Sequence, residues 1–76
     1  MEVQKIKINE TRGIIQFGTA IISGINVEFG YNAKDDKFTS IVYDFYKASG
    51  IFDEGGRSTP QEYLVGRKIS KALRCQ

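Results

Sequence analysis

"IIQFGTAIISGINVEFGYN" (residues 14–32) keeps its apolar groups on one parity for most of its length. Ile15, Phe17, Ile21, Ile25, Val27, Phe29 and Tyr31 are odd, whereas Gln16, Gly18, Gly24, Asn26, Glu28 and Gly30 are even. A repeat of two marks a strand with one wet face, because successive Cβ atoms of a pleated chain point to opposite sides. The stretch is too long for one ordinary strand, and Ser23-Gly24 suits a two-residue hairpin turn. It therefore divides into strands near 14–22 and 25–32.

The neighbouring segments extend the pattern. "EVQKIKIN" (2–9) alternates Ile6 and Ile8 with Lys5 and Lys7, and "ETRG" (10–13) is a polar turn ending in Gly13. "FTSIVYDFYKASG" (38–50) has two readings. Phe38, Ile41, Val42, Phe45 and Tyr46 fall at helical spacing, between Asp35 or Asp36 as a cap and Gly50 as a stop. The same segment is dense in Thr, Ile, Val, Phe and Tyr and follows a hairpin-like loop, "NAKDDK" (32–37). We read it as a fourth strand, with the helix as the alternative. Such a strand shows Ile41, Tyr43 and Phe45 on one face and Phe38, Val42 and Tyr46 on the other. Apolar groups on both faces imply a helix on one side and a second subunit on the other, hence a homodimer.

"ASGIFDEGGRS" (48–58) is a glycine-rich loop, and "TPQEYLVGRKISKALRCQ" (59–76) is a helix. Thr59 is its N-cap, Pro60 suits the first helical position, and Glu62 completes a capping box with Thr59. The hydrophobic residues agree with this division. Ten Ile, four Val and nine Phe or Tyr stand against two Leu and four Ala, a balance that favours pleated structure over helix. The expected fold class is α+β: a small antiparallel β-meander of three to four strands with a C-terminal α-helix packed on one face. Seventy-six residues make a single domain, 1–76.

A domain this short buries only about 60% of the surface its unfolded chain exposes, so its core needs support. One cysteine rules out an internal disulfide, and the lack of histidine and of a second thiol rules out a structural zinc site. Association is the support that remains. No segment reaches the ~20 apolar residues that span a bilayer. The charged first twenty residues do not form a signal peptide, so a soluble cytoplasmic protein is expected.

Charge is unevenly placed. Residues 57–76 hold Arg57, Arg67, Lys68, Lys71 and Arg74 against Glu62, whereas residues 1–56 hold six basic and eight acidic groups. The overall +2 thus conceals a basic end. At 100° per residue, Val65, Ile69, Ala72 and Leu73 share one arc of the helix, and Leu64 and Cys75 lie off it. Arg67, Lys71 and Arg74 share another arc, with Tyr63 at its edge and Lys68 nearby. Lys71 and Arg74 also complement the helix dipole, a structural reason for their place that Arg67 and Lys68 lack. The bland reading of the row is a solvated helix face. The functional reading is a contact to nucleic acid or to an acidic protein surface, extended by Arg57, Lys5 and Lys7 where they lie beside the helix. Gly66 in mid-helix is either a close approach to a neighbour or a weakness of about 1 kcal/mol.

The residues that enzymes use are missing. There is no histidine base, and Cys75 sits at a fraying terminus without an activating partner. The acid pairs Asp35-Asp36 and Asp53-Glu54 lack the spacing of a calcium loop. "GGRST" (55–59) precedes a helix, yet lacks the glycine-lysine pattern of a phosphate loop. No catalytic residue, cofactor or metal is expected. Tyr31, Tyr43, Tyr46, Phe38 and Phe45 are either core or a stacking platform for unpaired bases. The order of elements, curved strands then a helix, is loosely similar in fold to the whirly-type family of single-stranded-DNA-binding transcription cofactors, and no residues carry over from it. Two functions follow. One is a nucleic-acid-binding module using the basic helix. The other is a phage- or plasmid-type inhibitor or adaptor that blocks a host enzyme or nucleoprotein complex by protein contact.

Overall fold

The computed structural model describes residues 2–48, Ile51 and residues 61–75. Four strands, β1 (Val3–Arg12), β2 (Ile15–Ile22), β3 (Ile25–Asn32) and β4 (Lys37–Tyr43), pair antiparallel in the order β1-β2-β3-β4. A single helical turn, α1 (Phe45–Ala48), follows, and α2 (Gln61–Arg74) packs against β1 and β4. The chain is thus an α+β meander. The expected cap at Thr59 and Pro60 lies outside the described residues. Of segment 38–50, the described part combines both of its readings, strand to Tyr43 and helical turn over Phe45–Ala48, while residues 49–50 lie outside the described residues. Asp44 accepts hydrogen bonds at Oδ1 from the backbone N–H groups of Tyr46 (3.0 Å) and Lys47 (3.2 Å), which caps that turn.

The central hairpin reassigns the faces. Ser23 and Gly24 take φ of 49° and 81°, the left-handed conformations of the turn whose twist matches paired strands. A two-residue turn pairs Ile22 with Ile25, Ala20 with Val27 and Gly18 with Phe29, so inward residues are even on β2 and odd on β3. Ile15, Phe17 and Ile21 therefore face away from Ile25, Val27 and Phe29, contrary to the single parity read along 14–32. The small side of β2 is what the core uses. Ala20, Ile22, Ile25, Val27, Phe29 and Tyr31 are buried beneath Val65 and Ile69 of α2, with Ala48 of α1 at the margin.

Bulges correct two further expectations. Residues 10–12 continue β1 instead of turning, because the register shift between Ile8 and Glu10 lets the strand bend and resume pairing. In β4, the shift between Tyr31 and Gly30 leaves Thr39 as an extra residue, which moves Phe38 to the side of Ile41 and Tyr43. The strand is consequently apolar on its core side, with Val42 left on the other. The two-faced pattern behind the homodimer does not form.

Candidate functional site

The buried stripe of α2 comprises Val65, Gly66, Ile69 and Ser70, flanked by half-buried Leu73. Gly66 has a packing reason. A Cβ there would meet the Phe38 ring at 3.2 Å and Ile41 Cδ1 at 3.3 Å, so glycine brings the helix against β4. Ser70, a polar residue inside an apolar stripe, donates its hydroxyl to Asp36 Oδ1 at 2.7 Å, and Tyr31 donates its phenol to the same oxygen at 2.5 Å. Arg74 Nη1 lies 3.9 Å from Asp36 Oδ2. Asp36 itself takes φ 53°, held there by this set of partners. The Tyr31 and Ser70 hydrogen bonds, with the Arg74 charge, hold the Asp36 carboxyl below the usual carboxylate value. The same bond to Asp36, then burial, pushes the Tyr31 phenol up.

These contacts give α2 a direction. Ser70 and Arg74 meet the loop before β4, and Gly66, one helical turn earlier, meets Phe38 and Ile41 within the strand. Helix and strand therefore run antiparallel. Between them lies a groove of about 890 Å³. Phe38, Ile41 and Gly66 supply its apolar lining. Arg67, Lys68, Lys71 and Arg74 line it from the helix, and Lys37 from the strand. Asp36 and Glu62 are its carboxylates. Five cations against two anions make the groove strongly positive.

The expected site residues separate into two groups. Arg67, Lys71 and Arg74 are exposed, Lys68 is half-buried, and all four belong to the groove. Tyr63 lines it as well, 58% exposed, with the Arg67 guanidinium 5.8 Å from its ring centre. Among the described residues, no carboxylate lies within ion-pair range of Arg67 or Lys71, whereas Arg74 has Asp36. Arg57 lies outside the described residues. Lys5 and Lys7 do not extend the surface. Their register partners Ile21 and Thr19 point to the open side of the sheet, away from α2. The stacking platform also dissolves: Tyr31 and Phe38 pack together at 4.9 Å within or beside the core, while Tyr46 stands apart on α1.

Lys37 and the outer edge of β4 were not singled out from the sequence, and Asp36 was weighed there only as a helix cap and as half of an acid pair. The edge was hidden because strand order is a property of the sheet. Asp36 left one trace, the serine interrupting the stripe of α2. Among the described residues, no group of three potential metal ligands occurs, and no helix is long and apolar enough to cross a membrane. Cys75 is an exposed free thiol. No protein-family model, characterised protein or solved structure matches the chain.

Proposed function

We propose that this protein is a non-enzymatic binding module of the inhibitor or adaptor type, which docks an acidic segment of a partner protein in the groove between α2 and β4. The observation that carries this is the row of Arg67, Lys68, Lys71 and Arg74 along a groove whose apolar lining is Phe38, Ile41 and Gly66. Aligned cations beside apolar surface give both steering and area.

Nucleic acid is the second reading, favoured by Arg67 and Lys71 having no carboxylate partner among the described residues. Two features tilt the balance to a polypeptide. Tyr31, Phe38 and Tyr43 pack in or beside the core and Phe45 and Tyr46 lie on a separate turn, which leaves Tyr63 as the groove's exposed ring rather than a stacking platform. Lys5 and Lys7 lie on the opposite sheet face, so the cations form no path wide enough for a duplex.

The test is titration of a fluorescent glutamate-rich peptide and, separately, of a thymidine oligonucleotide at ~50 mM salt. The peptide should bind, and R67E/K71E should weaken it by at least about tenfold, the effect of a little over one kcal/mol. Both positions are exposed, so circular dichroism of the variant should match the parent. Oligonucleotide binding without peptide binding would replace this reading with the nucleic-acid one.

A further inference from the structure

The groove has two walls of different kinds, and the second wall says how a partner lies in it. Among the described residues β4 ends the sheet, since the order is β1-β2-β3-β4 and only β3 pairs with it. No backbone hydrogen bond between described residues reaches the outer side of its stretch 37–42. An edge strand presents alternate N–H and C=O groups that a further strand satisfies. We propose that the acidic segment binds in extended form as a fifth strand on the outer edge of β4, its side chains alternating between the α2 cations and Val42. The inference rests on the reading above and adds backbone pairing and a sequence pattern to it.

Spacing supports the match. Arg67 and Lys71 are four residues apart, about 6 Å along a helix rising 1.5 Å per residue. Alternate residues of a strand are about 6.7 Å apart. Successive acids at every second position therefore meet Arg67 and then Lys71, because α2 runs antiparallel to β4. The Thr39 bulge bends the first part of the edge, so the regular platform is Ser40–Val42. Its outward face carries Val42, which is 59% exposed. The residues between the acids should accordingly be β-branched or aromatic, giving Glu-Val-Glu-Val in outline. A second copy is a poor occupant, because pairing edge to edge brings two cationic grooves together.

The experiment uses the full chain and three capped peptides that alternate glutamate and valine over about seven residues, the length of β4. One is unmodified. The other two are N-methylated on the glutamate amides and on the valine amides respectively. A strand pairs through every second residue, so one methylated peptide should lose about tenfold or more in affinity while the other stays near the parent. Amide exchange in Ser40–Val42 should slow at alternate positions when the unmodified peptide is bound. If both methylated peptides bind like the parent and R67E/K71E still abolishes binding, edge pairing is wrong and the acidic-partner reading stands. If no peptide binds and the oligonucleotide does, the parent reading falls with it. A dimer at micromolar concentration by light scattering, disrupted by charge reversal at Lys37, would make a second copy the occupant and overturn the proposal.

Discussion

Replacing Gly18 by alanine is the most direct test of how the sheet carries its helix. Gly18 lies on the core side of β2, opposite Ile8 of β1 and Phe29 of β3. A Cβ there falls 2.3 Å from the backbone oxygen of Lys7 and 2.7 Å from Phe29 Cζ. Both contacts are about 1 Å too short for carbon against oxygen or carbon. Neither neighbour yields easily, because Lys7 belongs to the β1–β2 ladder and Phe29 is only 2% exposed. Overpacking of this kind costs about 1–3 kcal/mol, and a disturbed ladder hydrogen bond about 1 more. Lower entropy of the unfolded chain returns up to about 1 kcal/mol. The net loss is about 1–4 kcal/mol, centred on 2–3, from a domain whose size suggests about 4–11 in all. At about 4–8 °C per kcal/mol, Tm should fall by roughly 10–20 °C.

Gly30→Ala is the control: its nearest contacts are Thr39 Oγ1 at 2.5 Å, Ser40 Oγ at 3.1 Å and the Phe17 ring at 3.2 Å. These are side-chain atoms on the open face, able to rotate aside, so the loss should stay below about 1 kcal/mol. Thermal melts and urea titrations followed by circular dichroism read both. A Gly18→Ala protein melting within a few degrees of the parent refutes this register, as does equal damage from Gly30→Ala.

Asp36 and Gly66 give two further predictions. The Asp36 carboxyl is held below its unfolded value, so its charge stabilises the fold above that value, and the contribution disappears as pH falls through the folded one. Asp36→Asn keeps an oxygen for Tyr31 and Ser70 and tolerates the left-handed backbone, so it should fold at neutral pH but show a shallower loss of stability below about pH 4. An acid titration parallel to that of the parent would contradict the assigned bonds. Gly66→Ala sets up to about 1 kcal/mol of helix propensity against contacts a few tenths of an ångström too close, so denaturant midpoints should change little. Gly66→Leu should cost about 1–3 kcal/mol, because Phe38 and Ile41 have no room for it; a Leu variant as stable as the parent means the helix does not close on β4 here.

The strands were legible where alternation is local. Ile6 and Ile8 against Lys5 and Lys7, or Val27 and Phe29 against Asn26 and Glu28, declare a pleated chain without reference to anything distant. Which face each strand buries was less legible. The Ser23-Gly24 turn switches parity, and the inward residues of β2 include Gly18 and Ala20, too small to register as hydrophobic signals. Bulges cannot be seen in alternation either: one at Thr39 was enough to transfer Phe38 across β4. The cationic row of α2 was readable because helical geometry alone places Arg67, Lys71 and Arg74 together. The groove was not, since its other wall depends on β4 being an edge and on Gly66 drawing the helix to it.

Asp36 ties stability to recognition. Its hydrogen bonds with Tyr31 and Ser70 fix the end of α2 over the β3–β4 loop, and its second oxygen partly offsets Arg74. The Arg74 side chain is 66% exposed and its ion pair is long, so solvent screens that offset. In the proposed binding Arg74 thus keeps most of its charge for a ligand, beside Arg67 and Lys71, which have no carboxylate partner among the described residues. The partial offset has a consequence for the Asp36→Asn protein. Removing the carboxylate frees Arg74 and leaves the positions of Arg67 and Lys71 unchanged, so an acidic peptide should bind it more tightly than the parent at low salt. Weaker binding to a variant whose circular dichroism is unchanged would place the anion-binding surface somewhere other than beside β4.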